Sequence, residues 1–203
     1  MTGQSDENMK SAYERAMERV ASLEPASREK RLEWKGVPQG NTHAVKFLKG
    51  EGDLAAALEA ADKELAHYVI RGMVEVLTAN IVLPKTANLQ GAFDRSVIGL
   101  RALFKGNKKV EEVLGRIQYV ADQYKSYGTQ QRTQIFEDLK RQFAAKAQET
   151  VRRQGVEAPQ APPNVETQPE FQQEWSRIRI QLDQQYDEHL DAFRRELRAA
   201  AGA

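Results

Sequence analysis

At 203 residues, 40% hydrophobic and 29% charged, the chain has the apolar content for one domain built of amphipathic elements with wide solvated faces. It contains no cysteine, which excludes disulfides, thiolate metal sites and cysteine nucleophiles and points to a reducing cytoplasm. No apolar run approaches the ~20 residues needed to cross a bilayer, and the polar opening MTGQSDENMK lacks the apolar core of a secretory signal.

The net charge of +1 hides a strong internal pattern. Residues 84–154 hold 14 basic and 7 acidic groups, while residues 155–203 hold 5 and 9. The stretch 51–83 is also acidic, with 2 basic and 6 acidic groups. Segments of opposite sign can face each other, within one chain or between two.

In chain order, residues 1–8 read as a disordered leader and 9–154 as a helical domain. The first helix runs from Met9 to Leu23, with Met9, Tyr13, Ala16, Met17, Val20 and Leu23 on one side. Pro25 interrupts it, and SREKRLEW adds a turn or two up to Trp34. WKGVPQG, with two glycines and a proline, reads as a loop in which Trp34 plugs the edge of the core. Asn41 then caps a short helix that ends at Gly50.

Asp53 to Leu83 shows the longest helix-period pattern. Leu54, Leu58, Leu65, Val69, Met73, Val76, Leu77 and Ile81 recur every three or four positions. This predicts a central helix with Asp53 as N-cap and Pro84 as terminator. Three further helices follow, at Thr86–Phe104, Lys108–Tyr127 and Thr129–Arg153, separated at Gly106 and Gly128. Short turns imply antiparallel neighbours, hence an all-α antiparallel bundle of about four helices. Residues 155–168 form a proline-rich linker. Thr167, Pro169 and Glu170 compose a helix start of the capping-box type. The C-terminal helix, 169–200, aligns Phe171, Trp175, Ile178, Leu182, Tyr186, His189, Phe193 and Leu197 in a stripe close to a coiled-coil seam. Such a stripe must dock, on this chain or on a partner.

Several stretches resemble a bacterial family of uncharacterised all-helical proteins. They are MKSAYERAMERV (Met9–Val20), WKGVPQG (Trp34–Gly40), FLKGEGDLAAAL (Phe47–Leu58), ANIVLP (Ala79–Pro84) and PEFQQEWSRIRIQLDQQY (Pro169–Tyr186). The resemblance implies a bacterial helical protein and transfers no site. It also implies that Met9 is the functional start, with residues 1–8 dispensable.

Glu64 and His67 form an ExxH pair on one helical face, the arrangement of carboxylate-bridged metal bundles. Those sites need a second such motif, and Tyr186 stands where His189 would need its glutamate. His43, His67 and His189 fall on separate helices. No nucleotide-binding loop or nucleophile motif is present. No catalytic residue, metal site or cofactor is therefore expected, and a metal-carboxylate enzyme ranks last among the readings. Arg101, Lys105, Lys108 and Lys109 flank the KGNKK turn and are the candidate anion-binding cluster, the basis for a nucleic-acid or ribosome-binding alternative. The acidic C-terminal helix has the wrong sign for anionic lipid, so no membrane partner is expected. The leading expectation is a cytoplasmic, non-enzymatic interaction or scaffold protein. In it the C-terminal helix is a clasp or a self-association surface, with Phe171, Trp175, Ile178, Leu182, Tyr186 and Phe193 as contact residues for a protein partner or a second copy.

Overall fold

Backbone hydrogen bonding in the computed structural model, which describes residues 27–153 and 164–202, is helical almost throughout, and no strand occurs among the described residues. The fold is all-α. The helices are α1 (Arg28–Lys49), α2 (Leu54–Glu59), α3 (Ala66–Ala79), α4 (Ala87–Leu103), α5 (Lys108–Lys125), α6 (Tyr127–Arg153) and α7 (Pro169–Ala201), with a 3₁₀ turn at Val165–Thr167. The leader and the Met9–Leu23 helix lie outside the described residues, as does most of the linker.

The first surprise is α1. WKGVPQG is not a loop, and Asn41 is not a cap: one helix of 22 residues runs from the Ser27 cap to Gly50. Gly50 closes it at φ 84°, a left-handed conformation that glycine adopts without a Cβ clash. What overrides the loop signals is packing. Gly36 and Gly40 of α1 and Gly72 of α3 let the two backbones touch. A Cβ on Gly40 would lie 2.0 Å from the Val69 carbonyl oxygen, and one on Gly72 would lie 2.2 Å from that of Val37. Pro38 is accommodated inside the helix, and its carbonyl accepts from Thr42 Oγ1 at 2.9 Å. Trp34 is not a core plug. It sits on the outer face of α1, 65% exposed.

The second difference is the central helix, which is two helices. Asp53 caps α2 as expected, accepting from the Ala56 amide at 2.9 Å. Asp62 then accepts from the Glu64 amide at 3.0 Å, a local turn that competes with helix continuation. α3 ends at Ala79, well before Pro84, because the Asn80 side chain donates to the Val76 carbonyl. Ile81 to Lys85 is neither helix nor strand, and the Lys85 amide donates back to the Leu83 carbonyl at 2.8 Å. There Ile81 and Leu83 are buried while Val82 is only partly so.

α4 starts on the Thr86 cap and α5 on Asn107, whose Oδ1 accepts from the amides of Lys109 and Val110. Gly106, at φ 87°, makes the turn between them. Gly128 does not separate antiparallel neighbours. α6 begins at Tyr127, only Ser126 intervenes after α5, and Gly128 is buried in the first turn of α6. The pairings along α7 give the direction. Asn107 meets Ala200 and Tyr124 meets Asp183, while Gly128 meets Tyr186 and Phe143 meets Phe171. Both α5 and α6 therefore run antiparallel to α7 and follow one another along it as a jointed rod. At 33 residues and ~1.5 Å per residue, α7 is about 50 Å long, enough to span α5 and the first half of α6.

α1 and α3 also depart from a hairpin arrangement. Arg28 pairs with Glu64 at 2.7 Å and Glu33 with Arg71 at 2.9 Å, so the two helices run in the same direction. The main core lies between this pair and the α4, α5 and α7 layer, with Met73, Leu77, Phe93, Leu100, Leu114, Ile117 and Leu190 all 2% exposed or less.

Candidate functional site

The residues expected to carry function gather along α7. The helix does not begin as a capping box. Thr167 belongs to the 3₁₀ turn, Gln168 is the N-cap without a side-chain bond, and Pro169 opens the helix. Phe171 is fully buried. It meets the rings of Phe136 and Phe143 edge-on, each at 5.4 Å, and Trp175 meets Phe136 at 5.1 Å. With Leu139, Val165 and Ile178 they make a small second core under the N-terminal half of α7. Val165, 1% exposed, anchors the end of the linker there, and Lys140 pairs with Glu166 at 2.5 Å.

Toward the C-terminus, Tyr186, Leu190, Phe193 and Leu197 join the main core, and Leu182 is buried between the two. Leu190 is a residue the stripe reading missed. His189, its neighbour, falls on the apolar stripe by sequence spacing but is exposed in the structure. A helix has 3.6 residues per turn, so a stripe of this length drifts off a strict seven-residue repeat, and the drift places Leu190 inward. Of the six expected contact residues, Phe171 and Leu182 are buried, and Trp175, Ile178, Tyr186 and Phe193 are partly buried within the chain.

Opposite charges do meet across this seam. The acidic C-terminal segment pairs with the basic middle through Arg116–Glu196, Lys85–Asp183 at 2.8 Å and Lys140–Glu166. Arg116 also lies over the Phe193 ring, 5.0 Å from its centroid. Exposed pairs of this kind contribute little each. Asp183 differs, since its side chain is only 13% exposed. It receives the Tyr124 hydroxyl at 3.0 Å as well as Lys85. Burial, then the bond to Asp183, pushes the Tyr124 hydroxyl up to about 12. Asp187, one turn on, is raised chiefly by burial, and the nearby Lys85 opposes the shift.

The other candidates are placed apart. Arg101 is engaged by Glu111 at 2.8 Å and by Gln118 at 2.8 Å, while Lys105, Lys108 and Lys109 are exposed around the α4–α5 turn. Glu64 is held by Arg28, and His67 is exposed with its ring edge-on to Tyr68. His43, His67 and His189 sit on α1, α3 and α7, and among the described residues no three His, Cys, Asp or Glu side chains come together as metal ligands would. No helix of the described residues is long and apolar enough to cross a membrane.

A family model described as "Family of unknown function (DUF6657)" matches residues 55–199. The chain belongs to DUF6657. No curated protein and no solved structure matches it. The DUF6657 span takes in α3 to α6 and α7 almost to its end, so it contains the whole α7 seam, while α1 with Gly36 and Gly40 lies outside it.

Proposed function

We propose that this DUF6657 protein is a cytoplasmic, non-enzymatic interaction or scaffold protein in which α7 is an intramolecular clasp on the jointed α5–α6 rod. The observation that carries this is the burial of Phe171, Leu182, Leu190 and Leu197 along one edge of α7 by α3, α5 and α6. An edge closed in this way is a structural tie while α7 is docked, and it becomes a surface for a second copy or a protein partner when α7 is released. The absence of cysteine supports a reducing compartment. Nucleic-acid binding through residues 84–154 is the second reading, supported by the exposed Lys105, Lys108 and Lys109. The engagement of Arg101 by Glu111 weakens it.

Light scattering and thermal melting of the full chain and of a chain ending at Arg153 test the clasp. The shortened chain should self-associate and melt lower, because the apolar groups of α5 and α6 lose their cover. A shortened chain that stays monomeric with an unchanged melting temperature refutes it. Loss of all oligonucleotide affinity at 50 mM salt or below would remove the second reading.

A further inference from the structure

At the joint between α5 and α6 the surface opens into a cavity of about 550 Å³, a size within the range of small-molecule sites. Lys85, Tyr124, Lys125, Arg132, Arg179 and Asp183 line it. Four of these are cations brought from four different places in the chain: the connection before α4, the end of α5, the start of α6 and the middle of α7. Lys85 is held by Asp183, and Lys125 by Asp122 at 2.8 Å. Arg132 stacks over the Tyr124 ring, 4.3 Å from its centroid, and its Nη2 donates to Thr129 Oγ1 at 3.0 Å. Its Nη1 is buried without a hydrogen-bond partner, 3.9 Å from Asp183 Oδ1 and beyond bonding range. Arg179 forms no ion pair among the described residues.

Four cations stand against the carboxylates of Asp183, Asp122 and the nearby Asp187, so the concavity keeps a net positive charge of one. A phosphate monoester carries about −1.5 to −2 near pH 7, an anion that this net positive concavity attracts. Thr129, Pro84 and Ile180 complete the lining, the last two apolar. Pro84 is partly buried, and Ile180, on α7 next to Arg179, is 62% exposed. We infer that this cavity binds a small phosphate monoester whose organic part is apolar, with Arg179 as the residue that receives the phosphate and Ile180 and Pro84 flanking the body. Arginine suits that role because its planar fork presents two parallel donors to phosphate oxygens. The inference rests on the docked position of α7 in the clasp reading, and its test is separate: a failed titration leaves the melting and light-scattering test of the clasp unaffected.

Calorimetric titration of the full chain with phenyl phosphate tests it. The expected result is saturable one-to-one binding, weakened about tenfold in Arg179→Gln, the loss of one charge-assisted contact. Inorganic phosphate, which lacks the apolar body, should bind more weakly than phenyl phosphate. Arg179→Gln leaves no buried partner behind, so its melting temperature without ligand should equal that of the unaltered protein. Lys108→Gln, on the α4–α5 turn, should bind phenyl phosphate normally. Absence of saturation up to about 10 mM ligand overturns the inference, since that is weaker than any affinity a built site would show. So does binding that Arg179→Gln leaves unchanged, or binding that Lys108→Gln removes. Binding of an oligonucleotide with no binding of phenyl phosphate also overturns it, in favour of a polymer contact.

Discussion

The hydroxyl of Tyr124 donates to Oδ1 of Asp183 at 3.0 Å, at the point where α5 gives way to α6. Around it Lys85 reaches the other oxygen of the same carboxylate, and Tyr186 packs edge-on against Tyr124 at 5.3 Å. This polar knot fixes the register of α7 midway between the two apolar clusters, where an apolar seam alone would permit sliding by a turn.

Tyr124→Phe should therefore lower stability by about 1–2 kcal/mol, because it deprives a mostly buried carboxylate of one donor while keeping the ring. Its pH dependence has a definite sign. The folded state favours the protonated hydroxyl, so that contribution is whole below the ordinary tyrosine value of 10.0 and is lost as pH rises toward about 12. Chemical denaturation at pH 7 and across pH 9–12 checks both statements. The variant should lose less stability than the parent over the alkaline range, and an equal loss in the two proteins would show that Tyr124 is not the group responsible.

Glycine to alanine should have opposite outcomes at two helical positions. In Gly40→Ala the new methyl would meet the Val69 carbonyl at 2.0 Å, so α1 and α3 must separate. A loss of at least about 3 kcal/mol, at the severe end for one substitution, is expected. Gly115, inside α5, has nothing within 4 Å of an added Cβ. There the better helix propensity of alanine should add about 0.5–1 kcal/mol. Paired thermal melts decide it.

Among the aromatics, burial rather than size should set the cost. Phe171→Ala empties the centre of the second core and should cost about 3–4 kcal/mol. Trp34→Ala removes a larger ring from the exposed face of α1 and should change stability by no more than about 0.5 kcal/mol. Urea titrations of the two variants give the comparison. A large loss at Trp34 would mean that its ring is covered in solution.

Asp187→Asn should raise the melting temperature slightly at pH 7. Burial lifts the folded-state pKa of Asp187 above its ordinary value of 3.8, so the folded protein holds this proton more tightly than the unfolded chain does. The parent's stability thus declines as pH rises through that window, and asparagine removes the decline. Melts at pH 3 and pH 7 should show the gain only at the higher pH; a gain of equal size at both would point to a cause other than titration.

Periodicity in the sequence was enough to place α4, α5, α6 and the long C-terminal helix, and the caps Asp53, Thr86 and Asn107 and the turn glycines Gly50 and Gly106 act locally as their chemistry dictates. These are short-range effects, decided within one helical turn by which side chain can reach a free amide or which residue tolerates positive φ. The charge contrast between residues 84–154 and the C-terminal segment was legible too, and it appears as real pairs at Asp183, Glu166 and Glu196.

What lay beyond the sequence was everything that depends on what a residue touches. Glycines 36 and 40 looked like loop residues, because their value lies in the absence of a side chain facing Val69 and Tyr68, which are about thirty residues away in the chain. Trp34 looked like core, because hydrophobicity does not say which way α1 faces. Gly128 looked like a hairpin turn, and only α7, packed along α5 and α6 in succession, shows that the chain continues forward there. The anion cavity shares this origin. Lys85, Lys125, Arg132 and Arg179 are scattered over 95 residues of sequence and form no motif, and the docking of α7 against the α5–α6 joint is what brings them to one concavity.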